Sequence, residues 1–184
     1  MKQIKFNKTN LTDEEIDRRV NKVRAFIVNE KGQLLVCRYA GIYLLPGGSI
    51  DEGESKEEAL KREISEEAAI NIDTENAVPF LQIQSYDRNY YDRKLKRDIN
   101  RLTDTTFYTV KTNQDIDISN QRLTESEKEK DFEIFFTSMP RLKHLLETNQ
   151  TTNNKKANFD RELLTALDAY TDFLRGKQNV MDEY

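Results

Sequence analysis

Residues 55–69 contain neither glycine nor proline and are dominated by Glu, Lys, Ala and Leu-type helix formers, so the segment predicts a helix. Ser55 stands at the cap position, and Glu57 and Glu58 occupy the first turn, where acids suit the positive end of the helix dipole. Two stripes run along this helix. Leu60, Ile64 and Ala68 recur at helical spacing and form an apolar edge that needs a partner layer. Glu63, Glu66 and Glu67 share an adjoining face. The chain must therefore fold so that a sheet covers one side of this helix while three carboxylates remain on the next.

Three clustered carboxylates repel one another unless a cation sits among them. Carboxylate oxygens are hard ligands that suit Mg²⁺ or Mn²⁺. A metal so held can polarise a phosphoryl oxygen, activate water and neutralise a leaving phosphate. Taken alone, an acidic helix face is an ordinary solvated surface in a chain that is 34% charged. The upstream run Leu44-Leu45-Pro46-Gly47-Gly48 shifts that balance. It reads as a strand end followed by a tight turn, and its glycines let backbone groups approach a metal or phosphate closely.

Gly48, Glu54, Arg62, Glu63, Glu66 and Glu67, with the apolar Ile64 and Ile70, reproduce the spacing of a known box. Residues 48–70 resemble the signature of the Nudix hydrolases, departing only at Ala69, where the family has glycine. The resemblance implies an α/β/α sandwich with a mixed β-sheet, to which this chain adds a C-terminal helix. It implies metal-dependent hydrolysis of a pyrophosphate bond in a nucleoside diphosphate linked to another group. Glu63, Glu66 and Glu67, with the carbonyl of Gly47, would hold Mg²⁺, with Mn²⁺ as a substitute. Glu63 is the first choice to take a proton from, or orient, the attacking water. Arg62 would orient the glutamates and the loop; on the residues alone it is a surface ion pair with Glu66. Gly48 and Glu54 are structural members of the box. Alanine at 69 costs on the order of 1 kcal/mol if the helix exit is left-handed there.

Composition narrows the alternatives. The 184 residues suit one domain, and a formal net charge of −4 gives no general affinity for nucleic acid. No apolar run approaches a membrane span, and no signal-like segment is recognised. Cys37 is the single cysteine and lies in an apolar run, which fits a free thiol in a reducing cytoplasm. The lone His144 reads as a surface residue of a helix, so histidine-centred catalysis and His/Cys zinc sites are not expected.

The organisation expected along the chain is a single domain over 1–184. Residues 1–20 form an N-terminal extension with a capping box at Thr12 and Glu15. Residues 20–147 form the core, with strands at 23–28, 33–39, 43–45, 78–86, 105–111 and 132–136 and a helix at 140–147. A polar loop at 148–157 precedes an amphipathic helix at 158–177.

The box leaves the substrate open among nucleotide sugars, dinucleoside polyphosphates, ADP-ribose and nucleoside triphosphates. Residues 85–101 carry tyrosines among arginines and lysines, able to stack on a base and neutralise phosphates, or simply to form a solvated basic loop. Tyr86, Arg88 and Arg93 are the substrate-binding candidates; some family members that cleave dinucleoside polyphosphates have a tyrosine near the position of Tyr86. Glu125, Glu127 and Glu129 offer a downstream general base, although a solvated turn explains them as well. The alternative function is a nucleotide-sensing module of the same fold without useful turnover. A related prenyl diphosphate isomerase is disfavoured, because it needs a catalytic cysteine and Cys37 sits in a buried-looking strand. The resemblance allows a homodimer and identifies no interface.

Overall fold

The computed structural model describes residues 1–148 and 154–182, with side chains described over 1–148 and 156–177. Seven strands form one mixed sheet: β1 (Lys2–Phe6), β2 (Arg18–Val28), β3 (Leu34–Tyr39), β4 (Ile42–Leu44), β5 (Val78–Asp92), β6 (Arg97–Lys111) and β7 (Glu133–Thr137). The order is β1-β5-β6-β2-β3-β4, with β7 paired to β3. Strand β1 runs parallel to β5, and β2 runs parallel to β6 over its whole length. The remaining pairs are antiparallel. The helices are α1 (Lys56–Ala68), α2 (Glu125–Lys128), α3 (Met139–Thr148) and α4 (Asn154–Asp182).

Alternation along β2 distributes its side chains to two cores. Val23, Ala25 and Ile27 face α1, where Leu60, Ile64 and Ala68 are fully buried, as the apolar stripe predicts. Phe26, on the other face, packs with Phe80 and Phe107 against α3 and α4. Tyr170 of α4 seats on Phe26 with ring centroids 4.7 Å apart. The result is an α/β/α sandwich with a C-terminal helix, as expected. No helix among the described residues is long and apolar enough to cross a membrane.

Three expectations need correction. Residues 1–20 do not simply flank the core: β1 joins the sheet beside β5, and Thr12 and Glu15 cap a one-turn 3-10 helix at Asp13–Glu15. Two apolar residues among lysines give too little alternation to announce a strand; backbone pairing to β5 makes it one. Residues 85–101 are not a loop but the end of the β5–β6 hairpin, strand to Asp92 and again from Arg97 with a four-residue turn between, and with an irregularity between Asp87 and Tyr90. Of the expected polar loop at 148–157, residues 149–153 lie outside the described residues, Thr148 ends α3 and α4 already begins at Asn154.

Candidate active site

The loop leaving β4 is laid along β2. Ala25 N–H donates to the Pro46 carbonyl at 2.9 Å and Val23 N–H to the Gly48 carbonyl at 3.0 Å. Gly47 adopts φ +128°, and a Cβ there would stand 2.3 Å from the Val23 carbonyl oxygen, so glycine is required. Helix α1 then starts from Ser55, whose hydroxyl accepts from Glu58 N–H while the Glu58 carboxylate accepts from Ser55 N–H. It ends at Ala69, which is left-handed at φ 53°, ψ 30°.

Arg62 ties the loop to the helix. Its Nε and Nη2 grip both oxygens of Glu54 at 2.8 and 2.9 Å, Nη1 donates to Glu63 at 2.9 Å, and Nη2 reaches the Ser49 carbonyl at 3.0 Å. Glu66 lies 3.5 Å away and Asp51 3.8 Å, so the plain surface pair with Glu66 is weaker than its bonds to Glu54, Glu63 and the Ser49 carbonyl. A planar guanidinium can serve so many acceptors at once where an ammonium cannot.

The three acids are unequally exposed. Glu66 faces solvent, Glu63 is largely covered, and Glu67 is only 6% exposed. Glu67 Oε2 accepts from Gly47 N–H at 2.9 Å, with Cys37 Sγ 3.8 Å away. Burial pushes the Glu67 carboxyl up to about 8, against the pull of Arg24 and the Gly47 N–H. Burial also raises Glu63, opposed by Arg62. Cys37 is buried, and desolvation followed by the Glu67 charge holds its thiol well above the ordinary range.

Arg24 belongs to this site and was missed in the sequence. Its guanidinium donates to the Leu45 carbonyl at 2.8 Å and to the Gly47 carbonyl, and its charge pulls on both Glu63 and Glu67. A lone arginine inside the apolar run 23–28 was the available signal, because a charge on a buried strand needs partners. Among the described residues no three His, Cys, Asp or Glu side chains converge as a metal cluster. Glu63 and Glu66 lean on Arg62, while Glu67 turns to Gly47 N–H. The donor set itself, carboxylates plus the Gly47 carbonyl, is all oxygen and fits a hard divalent cation. Two guanidinium groups at these same oxygens mark where positive charge is needed.

A cleft of about 660 Å³ opens next to Arg24, whose guanidinium holds the loop. Lys22 and Arg24 of β2, Arg101, Thr103 and Thr105 of β6, the β5 segment 85–91 and Arg161 and Glu162 of α4 line it. Burial, then Arg24 and Arg101, lowers Lys22 to about 8, so the cleft floor is crowded with positive charge. Arg101 Nε, Thr103 Oγ1 and Arg161 Nε are buried there without hydrogen-bond partners. Such groups are costly unless something polar binds them.

The substrate candidates divide. Tyr86 cannot stack on a base: its ring packs with Leu11 and Leu102, its hydroxyl donates to Asp13 at 3.2 Å, and Lys5 Nζ lies over the ring. Its register partner is Leu102, one residue out of phase with Thr103, so although Tyr86 borders the cleft its ring stands on the opposite sheet face. Tyr90 takes the place expected of it, with the Arg101 guanidinium 3.4 Å from its ring centroid. The irregularity after Asp87 shifts the alternation and puts Tyr90 on the face opposite Tyr86; distance from the box, on which the choice of Tyr86 rests, says nothing about face. Arg88 stands at the rim paired with Glu15 at 3.1 Å, and Arg93 lies in a neighbouring pocket. Among the downstream acids, Glu125 pairs with Lys128 at 2.8 Å and Glu127 caps α2, while the charge of Glu127 is felt at Glu67. Glu129 is the residue that ends α2, and His144 is exposed on α3.

A carboxylate-bearing helix under a sheet, a glycine loop at its side and a basic cleft beyond define a pyrophosphohydrolase of the α/β/α class. The family model for the NUDIX domain matches residues 18–163, and the chain belongs to that family, whose members work with divalent metal ions. No curated protein matches the sequence. Among solved structures, the Ap4A hydrolase of C. elegans in a binary complex is 16% identical, with a TM-score of 0.51 over 85% of this chain and 98% of that one. The MutT protein of Methanosarcina mazei Go1 is 22% identical, with a TM-score of 0.47 over 79% of this chain and 95% of the other. At 16% identity the likeness to the Ap4A hydrolase is one of fold.

Proposed function

We propose that this chain uses Mg²⁺, with Mn²⁺ as a substitute, to hydrolyse the pyrophosphate bond of a nucleoside diphosphate linked to a second group. The observation that carries this reading is that Arg24, which lines the basic cleft, also holds the Gly47 carbonyl and acts on Glu63 and Glu67. Glu63, Glu66, Glu67 and the Gly47 carbonyl are the residues that would hold the cation. When bound, it supplies charge neutralisation for the pyrophosphate oxygens and lowers the pKa of water. Glu63 orients the attacking water and accepts its proton; its covered carboxyl, raised by burial, is tuned towards such a task. Arg62 fixes Glu63 and the Ser49 carbonyl in place through Glu54. Lys22, Arg24 and Arg101 offer charge to the phosphates, and Tyr90 offers a ring to the base. The residues 1–184 act as one unit, and the buried free Cys37 suits a reducing compartment such as the cytoplasm.

The test is product release from a panel of ADP-ribose, nucleotide sugars, dinucleoside polyphosphates and nucleoside triphosphates, with Mg²⁺, Mn²⁺ or EDTA. Metal-dependent cleavage that Glu66→Gln or Glu67→Gln lowers by about 100-fold or more is the expected result. Variants as fast as the wild type would overturn it. A nucleotide-sensing module is the second reading, favoured by the way Arg62 pairs with Glu63 and the Arg24 charge acts on Glu63 and Glu67. Tight nucleotide binding by folded protein, with no products at any metal concentration, would support that reading instead.

A further inference from the structure

A second pocket, of about 230 Å³, adjoins the cleft and shares Lys22, Tyr90 and Arg101 with it. Ser49 of the glycine loop forms part of its wall, and the Ser49 carbonyl is the one that Arg62 grips. The two pockets therefore meet at Lys22, Tyr90 and Arg101, and the smaller one touches the loop that Arg62 ties to Glu63. We propose, building on the hydrolase reading above, that this smaller pocket is a subsite for phosphoryl groups on the part of the substrate beyond the scissile bond. The substrate class it selects is the nucleoside polyphosphates, in preference to nucleotides linked to an uncharged sugar.

Size and charge carry the assignment. Small-molecule sites usually enclose ~300–1,000 Å³, a range that includes the larger cleft and excludes the smaller pocket. A nucleoside fits the first, and a short phosphate chain fits the second. Arg18, Lys22, Arg93, Lys94 and Arg101 surround the small pocket against one acid, Asp92. That acid is already engaged: it pairs with Arg18 at 2.5 Å and accepts from the N–H groups of Lys94 and Leu95. Among the described residues, no ion pair or hydrogen bond engages the side chains of Lys22, Arg93 or Lys94. Arg101 Nε is buried and unpartnered although its Nη2 holds Asp87 at 2.8 Å. Asp92 and Asp87 balance Arg18 and Arg101, and Glu162 and Glu63 act on Lys22, which leaves Arg93 and Lys94 in excess; cations in excess around a concave space bind an anion, and phosphoryl oxygens match them in charge.

The test compares adenosine 5′-tetraphosphate with ADP-ribose in the wild type and in Arg93→Ala/Lys94→Ala. Both residues are exposed at the hairpin tip, and Lys96→Gln/Arg97→Gln at the same tip, outside the pocket, controls for general charge. The ratio of KM for the tetraphosphate to KM for ADP-ribose should rise about 10-fold in the first variant and stay put in the control. An unchanged ratio, or an equal rise in the control, overturns the subsite. Calorimetry with inorganic tripolyphosphate separates this outcome from failure of the hydrolase reading. A Kd weakened about 10-fold by the first variant alone supports the subsite even in a protein that turns nothing over. Equal Kd values in all three proteins overturn it.

Discussion

Gly48 and the carboxylate of Glu63 share one space: a Cβ at position 48 would stand 2.2 Å from Glu63 Oε1. The glycine is thus kept for the sake of the acid rather than for a left-handed backbone. Gly48→Ala should push Glu63 off Arg62 while leaving the fold intact, because the displaced atom is the end of a flexible side chain. The expected result is a kcat at least about 100-fold lower with an unchanged midpoint in thermal unfolding. Gly47→Ala makes the contrasting case, since its Cβ would meet the Val23 backbone; it should unfold several degrees earlier.

Ala69 holds a conformation that suits glycine, at φ 53°. Ala69→Gly should raise stability by about 1 kcal/mol, read from urea unfolding, with turnover unaltered. A loss of stability would mean that the chain entropy added by glycine outweighs the relief.

Glu67 sets a pH slope in metal-free protein. Its folded carboxyl ionises near 8 and its unfolded one near 4.5, so between these values the folded chain keeps a proton that the unfolded chain has lost. Stability is therefore greatest below the unfolded value and declines by a few kcal/mol as pH rises through this window. Urea midpoints in EDTA across the window should fall for the wild type and fall less for Glu67→Gln.

Arg62→Lys keeps the charge and loses the fork. Lysine cannot serve Glu54, Glu63 and the Ser49 carbonyl together. Stability should drop by ~1–3 kcal/mol, and kcat should fall more than KM rises, because the loss is one of position. A variant matching the wild type in steady-state kinetics would show that Glu54 and Glu63 do not depend on this residue.

The helix at Lys56–Ala68 was legible because its signals are local: the cap at Ser55, the apolar stripe and the spacing of the glutamates all lie within a few turns. The same holds for the turn at Gly47. What the sequence determined by itself is a helix that must bury one edge and present three acids on the next. The tertiary structure alone decided that Arg24, on a distant strand, reaches the Gly47 carbonyl, and that Tyr86 is hidden while Tyr90 faces the cleft. It also turned Lys2–Phe6 into a strand and residues 85–101 into a hairpin. Sheet pairing joins residues far apart in the chain, and one irregularity reverses which face a side chain takes. Period and spacing within a segment therefore cannot fix either outcome.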